Sequence, residues 1–283
     1  MADACYLACP EVYNTEQKKW VGTGKANPVT YISVELDIEE LQTMALAFVS
    51  GVPENHIIQG ELDFEEIERV QTAMGILMQA PLYIEYLPNY GMKDVENCIK
   101  RNLRVHKTSY IFFDYLTSSM KIIEEVSRAA GGVKIREDQV LFLLSSKLKD
   151  IATTYNIFIF SSTQINGLAR EAKILDQNML AGAKAIANRV DFGSIMMDVT
   201  ENDLLDIKDI IQSKGYGVPN VKMSVYKNRR GQYNRILLWM YADKGTSRYD
   251  TLFATTFDYK EIPELTPSNV LQRQAKRCGK KGA

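Results

Sequence analysis

The chain has 283 residues, with 34 Lys plus Arg against 35 Asp plus Glu, 46% hydrophobic residues and 24% charged ones. That profile belongs to a globular protein long enough for a self-supporting core, and it excludes disorder as the dominant state. The net charge of −1 argues against a wholesale polyanion binder, but it averages over local asymmetry and leaves nucleic acid open.

No run of eighteen apolar residues occurs, so no membrane span is expected. The N-terminus lacks the basic, apolar and small-residue order of a signal peptide, and a cytoplasmic protein follows. Cys5 and Cys9 sit four apart on what reads as a helix. With Cys98, Cys278, His56 and His106 scattered elsewhere, they do not make a tetrahedral zinc site and read as buried thiols in a reducing compartment.

In chain order, apolar runs alternate with segments of helical period, the pattern of parallel strands crossed over by helices. Gly22-Thr-Gly24-Lys25-Ala26 reads as a turn. As a phosphate loop it fails, because Lys19 stands where the first Gly belongs and Ala26 where the hydroxyl belongs, and it precedes a strand instead of a helix. Strands are expected over Val29 to Ser33, Leu82 to Glu85, Tyr110 to Phe113, Ile157 to Ser161 and Ser194 to Met197. Helices are expected over Ile38 to Val49, Glu65 to Met78, Met92 to Leu103, Gln139 to Tyr155 and Asn178 to Ala187. Beyond about residue 218 the pattern becomes a β-hairpin: Val221 to Tyr226, a polar turn Asn228 to Gln232, and Arg235 to Trp239.

Charge is unevenly placed. Asp198 to Asp209 holds five acids and one Lys, whereas Ile210 to Ala242 holds six basic residues (Lys214, Lys222, Lys227, Arg229, Arg230, Arg235) and no acid. Ser268 to Ala283 adds five basics without an acid and reads as a disordered tail.

Buried parallel strands present ligand-binding groups at their carboxyl ends, which directs attention to Glu35, Asp114 and Gln164. Asp114 closes Tyr110-Ile-Phe-Phe, with nothing before it to neutralise it, and such an acid can hold the water shell of a Mg²⁺ beside a nucleotide phosphate. Hydrophobic strands ending in Asp are common, so alone it defines no site. Gln164 follows the next apolar strand and offers a neutral amide to a γ-phosphate or a water. Glu35 can orient an attacking water as a general base, or simply cap the helix that begins near Ile38. Three such strand ends in one sheet are less expected by chance than any one of them. The chain contains no G-x-x-x-x-G-K-[ST] phosphate cradle.

Ordered in this way, the sequence from about residue 1 to 260 resembles the C-terminal RecA-like motor domain of the DnaB-type replicative DNA helicases. Ile32-Ser-Val-Glu35-Leu is similar to the family's strand ending in the catalytic glutamate, and Phe112-Phe-Asp114-Tyr-Leu116 to its Walker B strand. Ser146-Lys-Leu-Lys149-Asp-Ile-Ala152 followed by Ile157 to Gln164 resembles the segment leading to its glutamine. Gly182-Ala to Asp191 matches the next motif more loosely, since Asn188-Arg-Val190 departs from the usual acidic run. Tyr226-Lys227-Asn228-Arg229-Arg-Gly231 resembles the segment whose Lys and Arg reach the neighbouring subunit's nucleotide. Met1-Ala-Asp-Ala-Cys5 is similar to the helix after the phosphate loop.

The resemblance implies an α/β RecA-like P-loop NTPase fold with a mostly parallel central sheet flanked by helices and a C-terminal β-hairpin. The first strand and P-loop are expected to be absent, with the chain truncated just after that loop. A motor domain over 1–262 and a basic tail over 263–283 are expected. So are ATP and Mg²⁺ as cofactors of the parent protein, with Mg²⁺ at Asp114, and none held tightly by this chain, which is expected to be inactive by itself.

The implied catalytic set is Glu35, Asp114, Gln164, Lys227 and Arg229. The channel loops that contact DNA in the family correspond to Ser127 to Asp138, with Arg128, Lys134 and Arg136, and to Gly167 to Gly182, with Arg170 and Lys173. Implied partners are single-stranded DNA, further copies in a hexameric ring, and a primase or helicase loader. The implied activity is ATP-driven translocation on single-stranded DNA in replication. A second reading from a different class stays open: a non-hydrolysing fragment that keeps DNA-binding or ring-packing surfaces.

Overall fold

A computed structural model describes residues 1–164 and 184–268. They fall into two compact units. The first comprises residues 1–164, 184–189 and Lys244–Arg248, and the second Val190–Asp243 and 249–268.

In the first unit the chain runs through α1 (Ala2–Ala8), a hairpin of β1 (Glu11–Asn14) and β2 (Lys19–Gly22), and β3 (Val29–Ser33). There follow α2 (Ile38–Ser50), α3 (Glu54–Gln59), α4 (Phe64–Gln79), β4 (Leu82–Tyr86) and α5 (Met92–His106). It continues with β5 (Tyr110–Asp114), α6 (Met120–Ala129), α7 (Glu137–Tyr155), β6 (Phe158–Ser161) and α8 (Lys184–Arg189). The sheet order is β4-β3-β5-β6, and all three pairings are parallel. Asn178 to Ala183 of the last expected helix lies outside the described residues, and α8 begins at Lys184.

Alternation along the strands builds two cores. Ile32, Ile111 and Phe113 face Val95, Ile99, Leu144 and Leu148 from α5 and α7, while Val29, Tyr31 and Phe112 face Ala4, Ala8 and Leu41 from α1 and α2. All five residues of β3 are buried, as expected for a strand covered on both faces. Phe113 is fully buried, its ring edge-on to Tyr90 at 5.5 Å, and truncating such a side chain to Ala costs about 3–5 kcal/mol. β6 has one strand neighbour, β5, among the described residues, and its Phe158 and Phe160 are 55% and 45% exposed.

The second unit departs from the sequence reading. The segment Ser194 to Met197, expected as another parallel strand, belongs to β7 (Phe192–Asp198), which pairs antiparallel with β8 (Val221–Asn228) in a separate sheet. The expected hairpin is present as β8 and β9 (Ile236–Asp243), but it is the middle of a four-stranded sheet ordered β10-β9-β8-β7, with β10 spanning Arg248–Thr256. A short apolar run looks the same in either setting; pairing direction is decided by the connection, and here α9 (Glu201–Lys214) fills it. The acidic run Asp198 to Asp209 is largely the first half of this helix.

Helix α9 packs Ile207 against Leu237, Trp239 and Phe253. Its first turn carries a reciprocal cap: the Asp203 amide donates to Thr200 Oγ1 at 3.2 Å, and the Thr200 amide donates to Asp203 Oδ2 at 2.9 Å. Lys222 of β8 then reaches both Asp203 carboxylate oxygens at 2.7 Å, and both residues are buried.

Candidate functional site

The parallel register sets the carboxyl ends of β3, β5 and β6 side by side. Ser33 pairs with Asp114 and Phe113 with Ser161, the Val34 amide donates to the Asp114 carbonyl at 3.0 Å, and the Leu116 amide donates to the Ser162 carbonyl at 2.9 Å. Glu35, Asp114 and Gln164 therefore leave one end of one sheet on adjacent strands, in the order Glu35, Asp114, Gln164.

Glu35 is exposed, with no hydrogen bond or ion pair among the described residues. The capping role open to it in sequence belongs to Asp37, whose carboxylate accepts from the Glu40 amide at 2.9 Å while the Asp37 amide donates to Glu40 Oε2 at 3.2 Å. The Glu35 carboxylate is thus left to solvent.

Asp114 is not unattended. Its carboxylate accepts a very short hydrogen bond from the Tyr31 hydroxyl and another from Ser162 Oγ at 2.9 Å. The expectation that nothing neutralises it needs this correction: neighbouring strands, not neighbouring residues, supply the donors. Burial, reinforced by the adjacent Asp114 carboxylate, raises the Tyr31 phenol above its ordinary range, so Tyr31 is a permanent donor. A carboxylate offers about four lone-pair sites, and two donors leave capacity toward solvent. Gln164 is exposed and donates from Nε2 to the Tyr115 hydroxyl at 3.1 Å.

A Mg²⁺–nucleotide is compatible with this donor set. Mg²⁺ is held by one or two carboxylates together with waters and the ligand's own phosphates. The described residues show no cluster of three or more metal-ligating side chains, so a single acid at Asp114 is the relevant feature.

Of the expected DNA-contacting residues, Arg128 lies on the last turn of α6, and Lys134 lies in the connection to α7. Both are exposed, with no ion pair among the described residues. The expected loop Ser127 to Asp138 is shorter than the sequence suggested, since it starts inside α6 and ends inside α7. Its turn is made by Gly131 and Gly132 at φ 76° and 83°, with the Gly132 amide donating to the Ser127 carbonyl at 2.9 Å. Arg136 is committed to Asp138 through Nε at 3.0 Å and Nη2 at 2.7 Å. Arg170 and Lys173 lie outside the described residues.

In the second unit Lys227 and Arg229 sit at the end of β8. Gly193 pairs with Lys227 but Ser194 with Val225, so Tyr226 is an extra residue bulged out of the ladder. A Cβ on Gly193 would lie 2.4 Å from the Tyr226 ring, so only glycine lets the ring cross the partner strand there. Such bulges re-aim the residues that follow them. Arg229 is anchored twice to Asp191, its amide donating to the carbonyl at 2.9 Å and Nη1 to Oδ1 at 3.1 Å. Partial burial and the neighbouring Arg229 lower the Lys227 ammonium, against an opposing pull from Asp191. The turn beyond is closed by Asn228, which accepts from the Gly231 amide at 2.9 Å and donates to the Tyr233 carbonyl at 2.9 Å.

Sequence reasoning missed Tyr31, Ser162 and Asp191. Tyr31 was the one with a signal: a polar-tipped aromatic inside an otherwise apolar central strand.

The sequence profile of the DnaB-like helicase C-terminal domain matches residues 13–249. The chain belongs to that family. It is 34% identical over 266 residues to the SPbeta prophage-derived uncharacterized protein YorI of Bacillus subtilis (strain 168), covering 93% of this chain and 53% of that protein. It is 33% identical over 89 residues, 31% of this chain and 20% of the relative, to the replicative DNA helicase DnaB of Treponema pallidum (strain Nichols). The chain thus spans about half of one of these curated relatives and a fifth of the other. Among solved structures, an isolated ATPase domain superposes with a TM-score of 0.61 at 14% identity, over 80% of this chain and 75% of that one. A DnaB-like replicative helicase, whose structure is described together with its interactions with primase, gives 0.61 at 13% identity, over 79% and 50%. At these identities the superpositions establish the RecA-like helicase-domain fold.

Proposed function

We propose that this DnaB-like chain is the motor domain of a ring-forming DNA helicase that couples ATP hydrolysis to movement along single-stranded DNA in replication. The observation that carries the reading is the convergence of Glu35, Asp114 and Gln164 on adjacent strand ends of a family member. Glu35, exposed and uncommitted, polarises the attacking water as general base. Tyr31 and Ser162 fix the Asp114 carboxylate so that its remaining lone pairs orient the water shell of Mg²⁺. Gln164, just beyond the end of β6, relays the state of the γ-phosphate to the DNA-contacting loops. Bound ATP–Mg²⁺ would supply the phosphoryl group and the charge neutralisation it needs. Lys227 and Arg229 act in trans on the neighbouring subunit's nucleotide, where they stabilise transition-state charge.

The absence of G-x-x-x-x-G-K-[ST] from these 283 residues favours the second reading for the chain taken alone: a polypeptide that keeps nucleic-acid and ring-packing surfaces without turnover. Both readings predict weak, sequence-independent binding to single strands through Arg128, Lys134 and Arg136, and through Arg170 and Lys173. Anisotropy of a labelled oligothymidylate across a salt series tests it. Affinity should fall steeply with salt, and Lys134→Ala with Arg136→Ala should shrink the log–log slope by roughly 0.7 per lost contact. No binding, or a slope unchanged by the double substitution, refutes the assignment.

A further inference from the structure

Helix α4 carries two apolar stripes, of which the core takes one. Ala73, Ile76 and Leu77 pack inward with Phe48 and Val49. Phe64, Ile67, Gln71, Met74 and Met78 follow one another at steps of three and four on another face. Phe64 is 91% exposed, Met78 85% and Met74 48%. Isolated exposed apolar residues need no explanation, but a row of them along one helix marks a docking face. The methionines suit it to a helical partner, because their flexible thioethers adapt to the surface they meet.

Two further features define the partner. Gly75 lies beside Met74, and a Cβ built on it meets nothing within 4 Å. A mid-helix glycine weakens its own helix, and here it leaves room for another backbone to approach closely. The end of the stripe at Phe64 is ringed by exposed acids, Glu61, Asp63, Glu65 and Glu68, so the partner is basic.

We propose that this face binds residues Asn269–Ala283 of a second copy of the chain. That segment carries Arg273, Lys276, Arg277, Lys280 and Lys281 and no acid. In a helix its Leu271, Ala275 and Cys278, at steps of four and three, fall in one narrow sector while the basic residues take the remaining faces. A polar, charged segment of this kind orders on its target and pays the ordering entropy there, so the contact is weak and salt-sensitive. It is heterologous, joining one surface to a different one, which is the geometry that closes rings or propagates. The inference is independent of nucleotide chemistry and stands or falls apart from the helicase reading.

Sedimentation velocity of the full chain across a concentration series tests it. Self-association should appear as concentration rises. It should weaken at least ten-fold on removal of residues 269–283, in Phe64→Glu with Met78→Glu, and in excess synthetic peptide of residues 266–283. Gly75→Ala supplies a variant that cannot act through misfolding: it should raise the melting temperature and still weaken association. A chain that stays monomeric throughout overturns the proposal. So does association that survives loss of the tail, or that is indifferent to the α4 substitutions while circular dichroism shows them folded.

Discussion

The buried pair Lys222–Asp203 is the clearest place to test how the second unit holds β8, the strand that carries Lys227 and leads into Arg229. Lys222→Met keeps the aliphatic stem but leaves the Asp203 carboxylate buried, with only the Thr200 amide at 2.9 Å and hydroxyl at 2.7 Å as donors. Asp203→Asn keeps a capping acceptor but strands the Lys222 ammonium. Breaking a buried pair by removing one partner costs about 3–5 kcal/mol. The retained Thr200 bonds put Lys222→Met at the lower end, about 3 kcal/mol, and Asp203→Asn above it. The double variant removes both charges, and its cost should fall short of the sum of the single variants by about 2–3 kcal/mol. Urea unfolding followed by fluorescence of the buried Trp239 reads all three. The pH dependence carries a sign. Burial pushes the Asp203 carboxyl up, but Lys222 and the Thr200 donors outweigh it, so it sits below its ordinary value. The pair's contribution is then complete above the unfolded carboxyl value of about 3.9 and is lost as pH falls through the lower folded value. The gap between wild type and Lys222→Met should therefore be constant near neutrality and close only below about pH 4. Single variants costing under ~1 kcal/mol, or a double variant equal to their sum, would refute the reasoning.

The chain by itself should bind ATP poorly, since a missing phosphate cradle removes several charge-assisted hydrogen bonds at ~1.5–3 kcal/mol each; Mg²⁺-dependent binding of a labelled analogue at low micromolar concentration would overturn this. Tyr31→Phe takes from Asp114 one of its two donors and should cost about 1.5–3 kcal/mol in chemical unfolding, and a loss below ~0.5 would mean the bond is incidental. Arg229→Ala should leave folding within ~1 kcal/mol of wild type, because its side chain and its Asp191 partner are both half exposed. In an active parent ring the same change should cost about 10³-fold in turnover, and mixing it with Glu35→Gln should restore activity at interfaces where both groups are intact. Mixed rings that form without rescue would remove Arg229 from its trans role.

The parallel half of the fold was legible because its strands are short, apolar and separated by helices long enough for crossovers. The boundaries of β3 and β5 follow from where apolar residues stop. The antiparallel half was less so. Ser194 to Met197 has the composition of a buried parallel strand, and nothing within it says that α9 leads back to an antiparallel neighbour. The acidic run hid α9 because its inward residues, Ile207 and Ile211, are outnumbered by exposed charge, and because Asp203 reads as one more surface acid until Lys222 is found across from it.

The site divides along the same line. That Glu35, Asp114 and Gln164 end strands is a property of each strand alone, and so it survives in the sequence. Which donors reach Asp114 depends on register between strands: Tyr31 lies two residues before Ser33, the residue paired with Asp114, and Ser162 directly follows Ser161, the residue opposite Phe113. Neither relation exists until the sheet is assembled. The Arg229–Asp191 anchor likewise appears only after β7 and β8 align, and the Tyr226 bulge over Gly193 shifts that alignment by one residue. Reactive groups were therefore readable one at a time, whereas their poise is a property of the pairing. A substitution at Gly193 illustrates the difference. It alters no candidate residue, yet a side chain there displaces the Tyr226 ring and with it the aim of Lys227.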